Sequence, residues 1–240
     1  LKERSRQKNE KMTQFVKNFE SREHLKQNLF FILTYCILLL FVMVVLLQSG
    51  KVQIHQSINS IVGNSFFDIF FKYITHLGDG LFAIIVVLIG LFFNVKKSMY
   101  VLITYITASL ISTIIKNYIY LDTCRPSFAF QYFVREPLQL ISGVEMNTFH
   151  SFPSGHSTTA FAVFMCFMFM SSRFVYKSSW FILALLAAFS RTYLSQHWLV
   201  DIYFGSLLGF SFSVFYYFNF YIKPYSITLN HGIVYLLKKK

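Results

Sequence analysis

Residues 28–48 read NLFFILTYCILLLFVMVVLLQ and contain no charged side chain. As an α-helix this segment is about 30 Å long, which matches the hydrocarbon thickness of a bilayer. Further apolar runs follow at 80–95, 99–120, 157–172, 178–194 and 201–221. The backbone N–H and C=O groups of a membrane-spanning segment must be hydrogen-bonded within helices or closed barrels. These runs are too long and too uniformly apolar for barrel strands. The sequence therefore predicts an all-α integral membrane bundle of about six transmembrane helices, with five or seven crossings as alternatives.

The composition agrees with this fold class. Of the 240 residues, 55% are hydrophobic and 13% are charged, which is about half the charged fraction of a typical soluble domain. So much apolar side chain excludes a disordered, collagen-like or coiled-coil chain. The three cysteines, Cys36, Cys124 and Cys166, form no CxxC pair, so the sequence offers neither a disulfide framework nor a zinc ribbon.

The basic residues indicate how the chain is oriented. With six spans and a cytoplasmic N-terminus, the segments left inside are 1–27, 96–98, 173–177 and 222–240. They hold 16 of the 22 Lys and Arg residues but four of the ten acids, and such an excess marks the cytoplasmic face.

This topology divides the chain into three parts. We expect a basic cytoplasmic segment at 1–27, a six-helix transmembrane domain at 28–222 and a basic cytoplasmic tail at 223–240. Acids interrupt the first basic segment and the tail's lysine run is short, which argues against a nucleic-acid partner. We interpret both segments as topology determinants that are able to contact anionic lipid.

Two of the outer segments are long. Residues 49–79 place apolar residues among Ser, Asn and Gln at helical spacing, which predicts one or two short amphipathic helices at the membrane interface. Residues 121–156 have weak periodicity and several charges. Since long irregular loops often carry function, we expect residues 121–156 to contribute to it.

Ionisable residues near the ends of membrane helices are costly, and they are functional candidates for that reason. With the topology above, three groups of them reach the outer mouth of the bundle. They are Lys116 with Arg125-Pro126, then Pro153-Ser154-Gly155-His156, then Ser190-Arg191 with His197 and Asp201. The three cations Lys116, Arg125 and Arg191 suit a multiply charged anion such as phosphate. A helix start that carries a glycine suits phosphate as well.

The two histidines suit phosphoryl transfer. His197 and Asp201 are spaced i, i+4, which predicts that they lie on one helical face. We therefore expect the carboxylate to hold one imidazole nitrogen and leave the other free to attack phosphorus. His156 is then placed to protonate a departing alkoxide. The sequence therefore predicts a phosphoryl-transfer site.

These motifs resemble those of the type 2 phosphatidic acid phosphatase superfamily, whose signature is K-x6-R-P, P-S-G-H and S-R-x5-H-x3-D. The second part is intact at 153–156 and the third at 190–201. The first part departs, because eight residues separate Lys116 from Arg125 and the usual lysine position holds Tyr118. We assign the lysine role to Lys116, since it is the only lysine near that helix end and a loop can absorb two residues.

The resemblance implies a lipid phosphatase that needs no metal or other cofactor and works through a phosphohistidine. His197 would be the nucleophile, Asp201 its orienting partner, and His156 the acid and then the base. Ser190 would support the site without contacting phosphate. The residues that would bind the phosphoryl oxygens are Lys116, Arg125, Ser154, Gly155 and Arg191.

The resemblance also implies the setting. The substrate would be a phosphate monoester or diphosphate on a membrane lipid, with lipid A phosphate, undecaprenyl diphosphate, phosphatidylglycerophosphate and phosphatidic acid as candidates. We expect a bacterial inner membrane, with the site facing the periplasm and both termini in the cytoplasm; a eukaryotic endomembrane is the alternative. Residues 49–79 and 121–156 would select the head group.

Alternatives remain at this point. A lipid phosphotransferase could use the same histidine, because an alcohol can resolve a phosphohistidine as water does. A transporter would distribute its charges through the membrane depth, and a non-catalytic relative would have lost His156 or His197. A zinc site from His150, His156, His197 and Asp201 would lack an HExxH motif and would be repelled by the cations. Asp79 is expected to cap the second span, and the sequence does not indicate the oligomeric state.

Overall fold

The computed structural model describes residues 2–223, 230–232 and 235, and of residues 2–21 it describes the backbone. Within these residues the chain forms nine α-helices and no strand, which confirms the all-α class. The helices are α1 (Lys2–Gln48), α2 (Lys51–Asn59), α3 (Ser65–Ile74), α4 (Gly80–Phe93), α5 (Val95–Ile114), α6 (Pro126–Ala129), α7 (Gly155–Met170), α8 (Phe174–Tyr193) and α9 (Leu199–Tyr216).

Short turns of other helix types extend four of these elements. A 3-10 turn, Thr75–Gly78, follows α3, and π-turns follow α5, α6 and α9 at Ile115–Ile119, Phe130–Val134 and Tyr217–Tyr221. Helices α2 and α3 are the short helices that the spacing in residues 49–79 predicts.

Three described helical segments are long and apolar enough to cross a membrane. They are Arg22–Gln48, Val95–Ile119 and Leu199–Tyr221. Ser65–Gly78 and Gly80–Phe93, bent by 59° at Asp79, add a fourth if the pair forms one span. The count of six spans and the three-part division therefore stay predictions. Helix α1 runs unbroken through the boundary predicted at residue 27, and most of the predicted tail lies outside the described residues.

Helix α7 is the centre of the bundle. It is buried along nearly all of its length and packs against α5, α8 and α9. Its closest neighbour is α9, because Gly205 and Gly209 of α9 face its backbone. A Cβ atom added at Gly205 would lie 2.5 Å from the carbonyl oxygen of Ser154, and one added at Gly209 would lie 2.4 Å from that of Thr158. This small-residue contact fixes the start of α7 against the start of α9.

Lys177 lies at the opposite end of the bundle. The sequence places it in a predicted cytoplasmic loop, where a lysine is expected to be exposed, but the structure buries it. Its side chain is fully buried, and Nζ donates hydrogen bonds to Oδ1 of Asn28 and, at 3.1 Å, to the carbonyl oxygen of Met168. Carbonyls in the last turn of a helix attract a cation, so the end of α7 supplies the compensation that burial requires.

Candidate active site

The three predicted motif segments meet at one end of the bundle. The backbone N–H of Ser154 donates a 3.0 Å hydrogen bond to the carbonyl oxygen of Asp201. The guanidinium Nη1 of Arg125 donates one of 3.2 Å to the carbonyl oxygen of Gln196. The convergence expected from topology is therefore built by direct bonds between the segments.

His197 lies just before α9, not on its face as the i, i+4 spacing predicts. The N–H groups of Gln196 and His197 both donate to the carbonyl oxygen of Arg191, at 3.0 and 3.1 Å, and Ser195 has φ +55°. This tight turn still brings Nδ1 of His197 to 3.3 Å from Oδ2 of Asp201. The other ring nitrogen, Nε2, lies 3.4 Å from Nη1 of Arg125 and points away from the carboxylate.

The surroundings of His197 keep its imidazole neutral. Burial, and then the positive charges of Arg125, Arg191 and Lys116, hold the pKa of His197 well below its usual value of 6.5. A neutral ring with its Nδ1 proton directed at Asp201 has an unprotonated Nε2. That nitrogen is the one able to attack an electrophile beside Arg125.

Asp201 is held from several sides. Its Oδ2 accepts a 2.9 Å hydrogen bond from the backbone N–H of Trp198 and another from the hydroxyl of Ser151. Ser151 is in turn fixed by a 3.0 Å bond from its N–H to the carbonyl oxygen of Thr123. Sequence reasoning missed Ser151 and Thr123, because neither is part of a motif and both act through the fold of the outer loop.

Three cations surround this pair. Arg125 is buried and donates from Nε to the carbonyl oxygen of Phe149 at 3.0 Å. Arg191 is buried and donates from Nη1 to the hydroxyl of Thr75 at 2.8 Å, while its Nε finds no partner in the described protein. Thr75 is a further contact that sequence reasoning missed. These side chains leave unfilled donor capacity, as a site for a multiply charged anion requires.

Lys116 joins the cluster from the π-turn that ends α5. Its charge interacts with those of Arg125, Arg191 and Asp201. Tyr118, at the usual position of the family's lysine, is 78% exposed. A π-turn takes five residues per hydrogen-bonded turn where an α-helix takes four, and this change of register accompanies the unusual spacing of the first motif.

The P-S-G-H segment opens α7 as predicted. Ser154 is the N-cap, and its Oγ accepts a 3.4 Å hydrogen bond from the N–H of Ser157. A Cβ atom added at Gly155 would meet nothing within 4 Å, so the space beside this residue is open. Ser190 bonds to the carbonyl oxygen of Ala187 within its own helix, at 2.6 Å. That contact suits the supporting role expected for Ser190.

His156 has an acidic partner that the sequence did not suggest. Its Nε2 lies 2.6 Å from Oδ1 of Asp79. Asp79 occupies the N-cap position of α4, but its side chain makes no capping hydrogen bond. The cap prediction therefore places the residue correctly at the helix start and gives its carboxylate the wrong partner.

An apolar cavity of about 810 Å³ adjoins the site. It lies between the end of α5 and helix α9 and reaches Asp201 and Pro153, with Lys51 and Asp122 among its polar lining residues. Its apolar lining includes Ile115, Ile119, Phe152, Phe204, Leu207 and Leu208. In the part of the chain that the structure describes, no three His, Cys, Asp or Glu side chains are grouped to hold a metal ion, so the zinc alternative gains no support.

Comparison with known proteins gives one family and two similar solved structures. The model of the PAP2 superfamily matches residues 97–223. LpxE of Aquifex aeolicus is 20% identical with a TM-score of 0.58, over 68% of this chain and 92% of that one. A transmembrane PAP2 type phosphatidylglycerolphosphate phosphatase from Bacillus subtilis is 25% identical with a TM-score of 0.57, over 83% and 99%. No curated protein matches the chain.

Proposed function

The chain belongs to the PAP2 superfamily, and on that premise we propose that it is a membrane lipid phosphatase working through a phosphohistidine. The substrate is a phosphate monoester or diphosphate carried by a membrane lipid. His197, His156 and Asp201 carry the reaction, and the phosphoryl oxygens bind to Lys116, Arg125, Ser154, Gly155 and Arg191.

One observation carries this proposal. His197 is held at Nδ1 by Asp201 and presents Nε2 to the guanidinium of Arg125, 3.4 Å away. A nucleophile whose free nitrogen faces a cation is placed against the phosphorus of a bound phosphoryl group, since the cation binds the oxygens of that same group. A histidine with a structural role has no need of an unprotonated nitrogen that faces a cluster of three cations.

The reaction follows from these positions. Nε2 of His197 bonds to phosphorus while the bond from phosphorus to the lipid oxygen breaks and His156 protonates that oxygen. Lys116, Arg125 and Arg191 neutralise the charge on the three remaining oxygens as it spreads in the transition state. His156 then takes a proton from water, whose oxygen displaces His197 and releases inorganic phosphate.

The cavity beside Asp201 supports a lipid as the carrier of the phosphate. Its volume of about 810 Å³ lies within the range of small-molecule sites, and its apolar wall suits an alkyl chain. Both helices that flank it, α5 and α9, have the length and composition of membrane spans. A lipid can therefore lie in this cavity with its head group at His197 and without leaving the apolar surroundings of its tail.

The test is release of inorganic phosphate by the detergent-purified protein with excess EDTA present. The panel contains phosphatidylglycerophosphate, phosphatidic acid, a lipid A phosphate and undecaprenyl diphosphate, and His197→Ala is the control. We expect the wild type, and not His197→Ala, to release inorganic phosphate. When the reaction is stopped without acid, the wild type should also contain a phosphohistidine that His197→Ala does not form. Loss of activity in EDTA would contradict the mechanism.

A second arm separates hydrolysis from transfer. Folded wild-type protein that forms the phosphohistidine but releases phosphate only when a lipid alcohol is added would be a phosphotransferase. Folded protein that forms no phosphohistidine with any member of the panel would overturn the proposal.

A further inference from the structure

A cluster of three titratable side chains lies outside the three motifs, at the turn between α3 and α4. Oδ1 of Asp79 is 2.6 Å from Nε2 of His156, and Oδ2 is 2.8 Å from Nδ1 of His76. The two oxygens of one carboxylate thus hold two imidazoles. His76 is largely exposed, whereas the side chain of His156 is 30% exposed.

The turn that carries Asp79 is packed directly on the backbone of His156. A Cβ atom added at Gly78 would lie 2.7 Å from the carbonyl oxygen of His156 and 3.0 Å from its Cβ. Thr75, in the same turn, accepts the hydrogen bond from Arg191. One short segment therefore contacts two residues of the candidate site, although no residue of the segment belongs to a motif.

The contacts of the Asp79 carboxylate are those of neither a helix cap nor a metal ligand. As a helix cap it would accept a hydrogen bond from a backbone N–H of α4, and it accepts none. As part of a metal site it would be grouped with other ligands in a suitable geometry, and no such group occurs in residues 2–223, 230–232 and 235.

The charges that face His156 show what Asp79 supplies. Lys116 and Arg191 repel a positive charge on the imidazole, while Asp79 attracts one. Among the described groups that act on His156, Asp79 is the anion. A general acid must carry a proton to give away, so His156 needs this carboxylate in a site built from cations.

We propose that Asp79 is a positioning residue for His156, holding its Nε2–H so that Nδ1 is the nitrogen that exchanges a proton with the substrate. This inference rests on the proposed function and deepens it. His76 acts one step further out, because its bond to Oδ2 fixes the plane of the carboxylate.

The proton movements balance through His156 alone. The Nδ1 proton of the imidazolium passes to the lipid oxygen as that oxygen leaves phosphorus and Nε2 of His197 bonds to it. His156 is then neutral, with its remaining proton on Nε2 between the ring and Asp79. In the second step Nδ1 takes a proton from water as the water oxygen bonds to phosphorus and the bond from phosphorus to nitrogen breaks.

The experiment compares Asp79→Asn with wild type and with Glu23→Gln, which removes the exposed carboxylate that pairs with Lys26 in α1. With an alkyl phosphate we expect Asp79→Asn to lower kcat between about 10-fold and 100-fold at nearly unchanged KM. The basic limb of the kcat profile should move to lower pH, because the imidazolium has lost its counter-anion. Asp79→Glu should restore part of the rate, and Glu23→Gln should match the wild type.

A change of leaving group separates positioning from a structural role. The aryloxide leaving group of an aryl phosphate departs without being protonated. Its kcat/KM should therefore fall less than about threefold in Asp79→Asn. Equal losses of kcat/KM with alkyl and aryl substrates would overturn the proposal, as would an alkyl kcat and pH profile identical to those of the wild type.

A spectroscopic measurement tests the proposal independently of enzyme activity. In wild-type protein labelled with ¹⁵N-histidine, and assigned with His156→Gln, the neutral ring of His156 should carry its proton on Nε2. A proton on Nδ1 would overturn the inference even if Asp79→Asn failed to fold. If the wild type released no phosphate from any substrate, the proposed function would fail, and this measurement would still give its own result.

Discussion

Arg191 and Thr75 are joined by a 2.8 Å hydrogen bond from the guanidinium Nη1 to the threonine hydroxyl. The two residues are 116 positions apart and come from α8 and from the 3-10 turn after α3. Arg191 is buried, and its Nε has no protein partner in the described structure. Thr75 thus sets the orientation in which the rest of the guanidinium faces the proposed phosphate site.

Thr75→Val should therefore weaken binding of the phosphoryl group. Hydrogen bonds to charged groups contribute about 1.5–3 kcal/mol, so we expect kcat/KM to fall by at least about 10-fold. Inhibition by vanadate, a phosphate analogue, should weaken in parallel. Thr34→Val is the matched control, because the hydroxyl of Thr34 bonds to the carbonyl oxygen of Phe30 within α1. Equal kinetics for the two variants would remove Thr75 from the site.

Lys116→Ala and Tyr118→Ala test which residue fills the lysine role of the first motif. Lys116 interacts with the charges of Arg125, Arg191 and Asp201, whereas Tyr118 is 78% exposed. Loss of a charge-assisted contact to phosphate should lower kcat/KM by about 10-fold to 100-fold in Lys116→Ala, with little change in Tyr118→Ala. The opposite result would place the lysine role elsewhere in the turn.

His197 should titrate below pH 6.5. Burial and three nearby cations disfavour its protonated form, so its folded-state pKa lies below the unfolded value. The neutral, nucleophilic ring then persists as the pH falls through 6.5. Titration of ¹³C-histidine-labelled protein in detergent, with His197→Gln to assign the signal, measures the midpoint. A midpoint at or above 6.5 would contradict this description of the site.

Gly209→Ala should destabilise the bundle even though alanine is the better helix former. The added Cβ would lie 2.4 Å from the carbonyl oxygen of Thr158 and 2.7 Å from the backbone nitrogen of Ala162. Overpacking of this kind costs about 1–3 kcal/mol, which lowers Tm by roughly 2–12 °C in a chain of this size. Gly50→Ala is the control, because nothing lies within 4 Å of its added Cβ. Equal melting temperatures would show that α7 and α9 are free to separate.

Leu208→Trp tests the cavity as the site of the lipid tail. Leu208 lines the cavity on α9, and a larger ring there would displace part of an alkyl chain. If about 1.4 kcal/mol of apolar burial is lost, kcat/KM should fall about tenfold for a long-chain substrate. A water-soluble, short-chain analogue should be hydrolysed at the wild-type rate. Equal losses for both substrates would place the tail outside this cavity.

The sequence predicted the bundle and the motif residues because both depend on local spacing. Residues 28–48 reveal a span by composition, and Pro153-Ser154-Gly155-His156 marks a helix start by residue type. Sequence reasoning did not find the contacts of Thr75, Asp79 and Ser151, because these contacts arise only when distant segments pack together. For Asp79 the sequence did contain one indication. An acid at the end of an apolar helix is energetically costly, so it needs a partner in addition to a helix cap.

The span count could not be settled by hydropathy for a related reason. Helix α7 has 16 residues and is surrounded by other helices over nearly all of its length. Its composition therefore reflects protein packing more than contact with lipid. The burial of Lys177 could not be predicted either, because nothing near it in the sequence shows that Asn28 and the end of α7 accept hydrogen bonds from its amine.

The glycine contacts of α9 have a consequence for how such proteins diversify. Backbone touches backbone at Gly205 and Gly209, so the distance between the two histidine-bearing segments is set inside the bundle. The outer loop at residues 121–156 adds contacts at the mouth of the site, such as the bond from the hydroxyl of Ser151 to Asp201. Natural variation in the parts of that loop that make no such contact can therefore change what approaches the candidate site, while the spacing of the two histidine-bearing segments is kept.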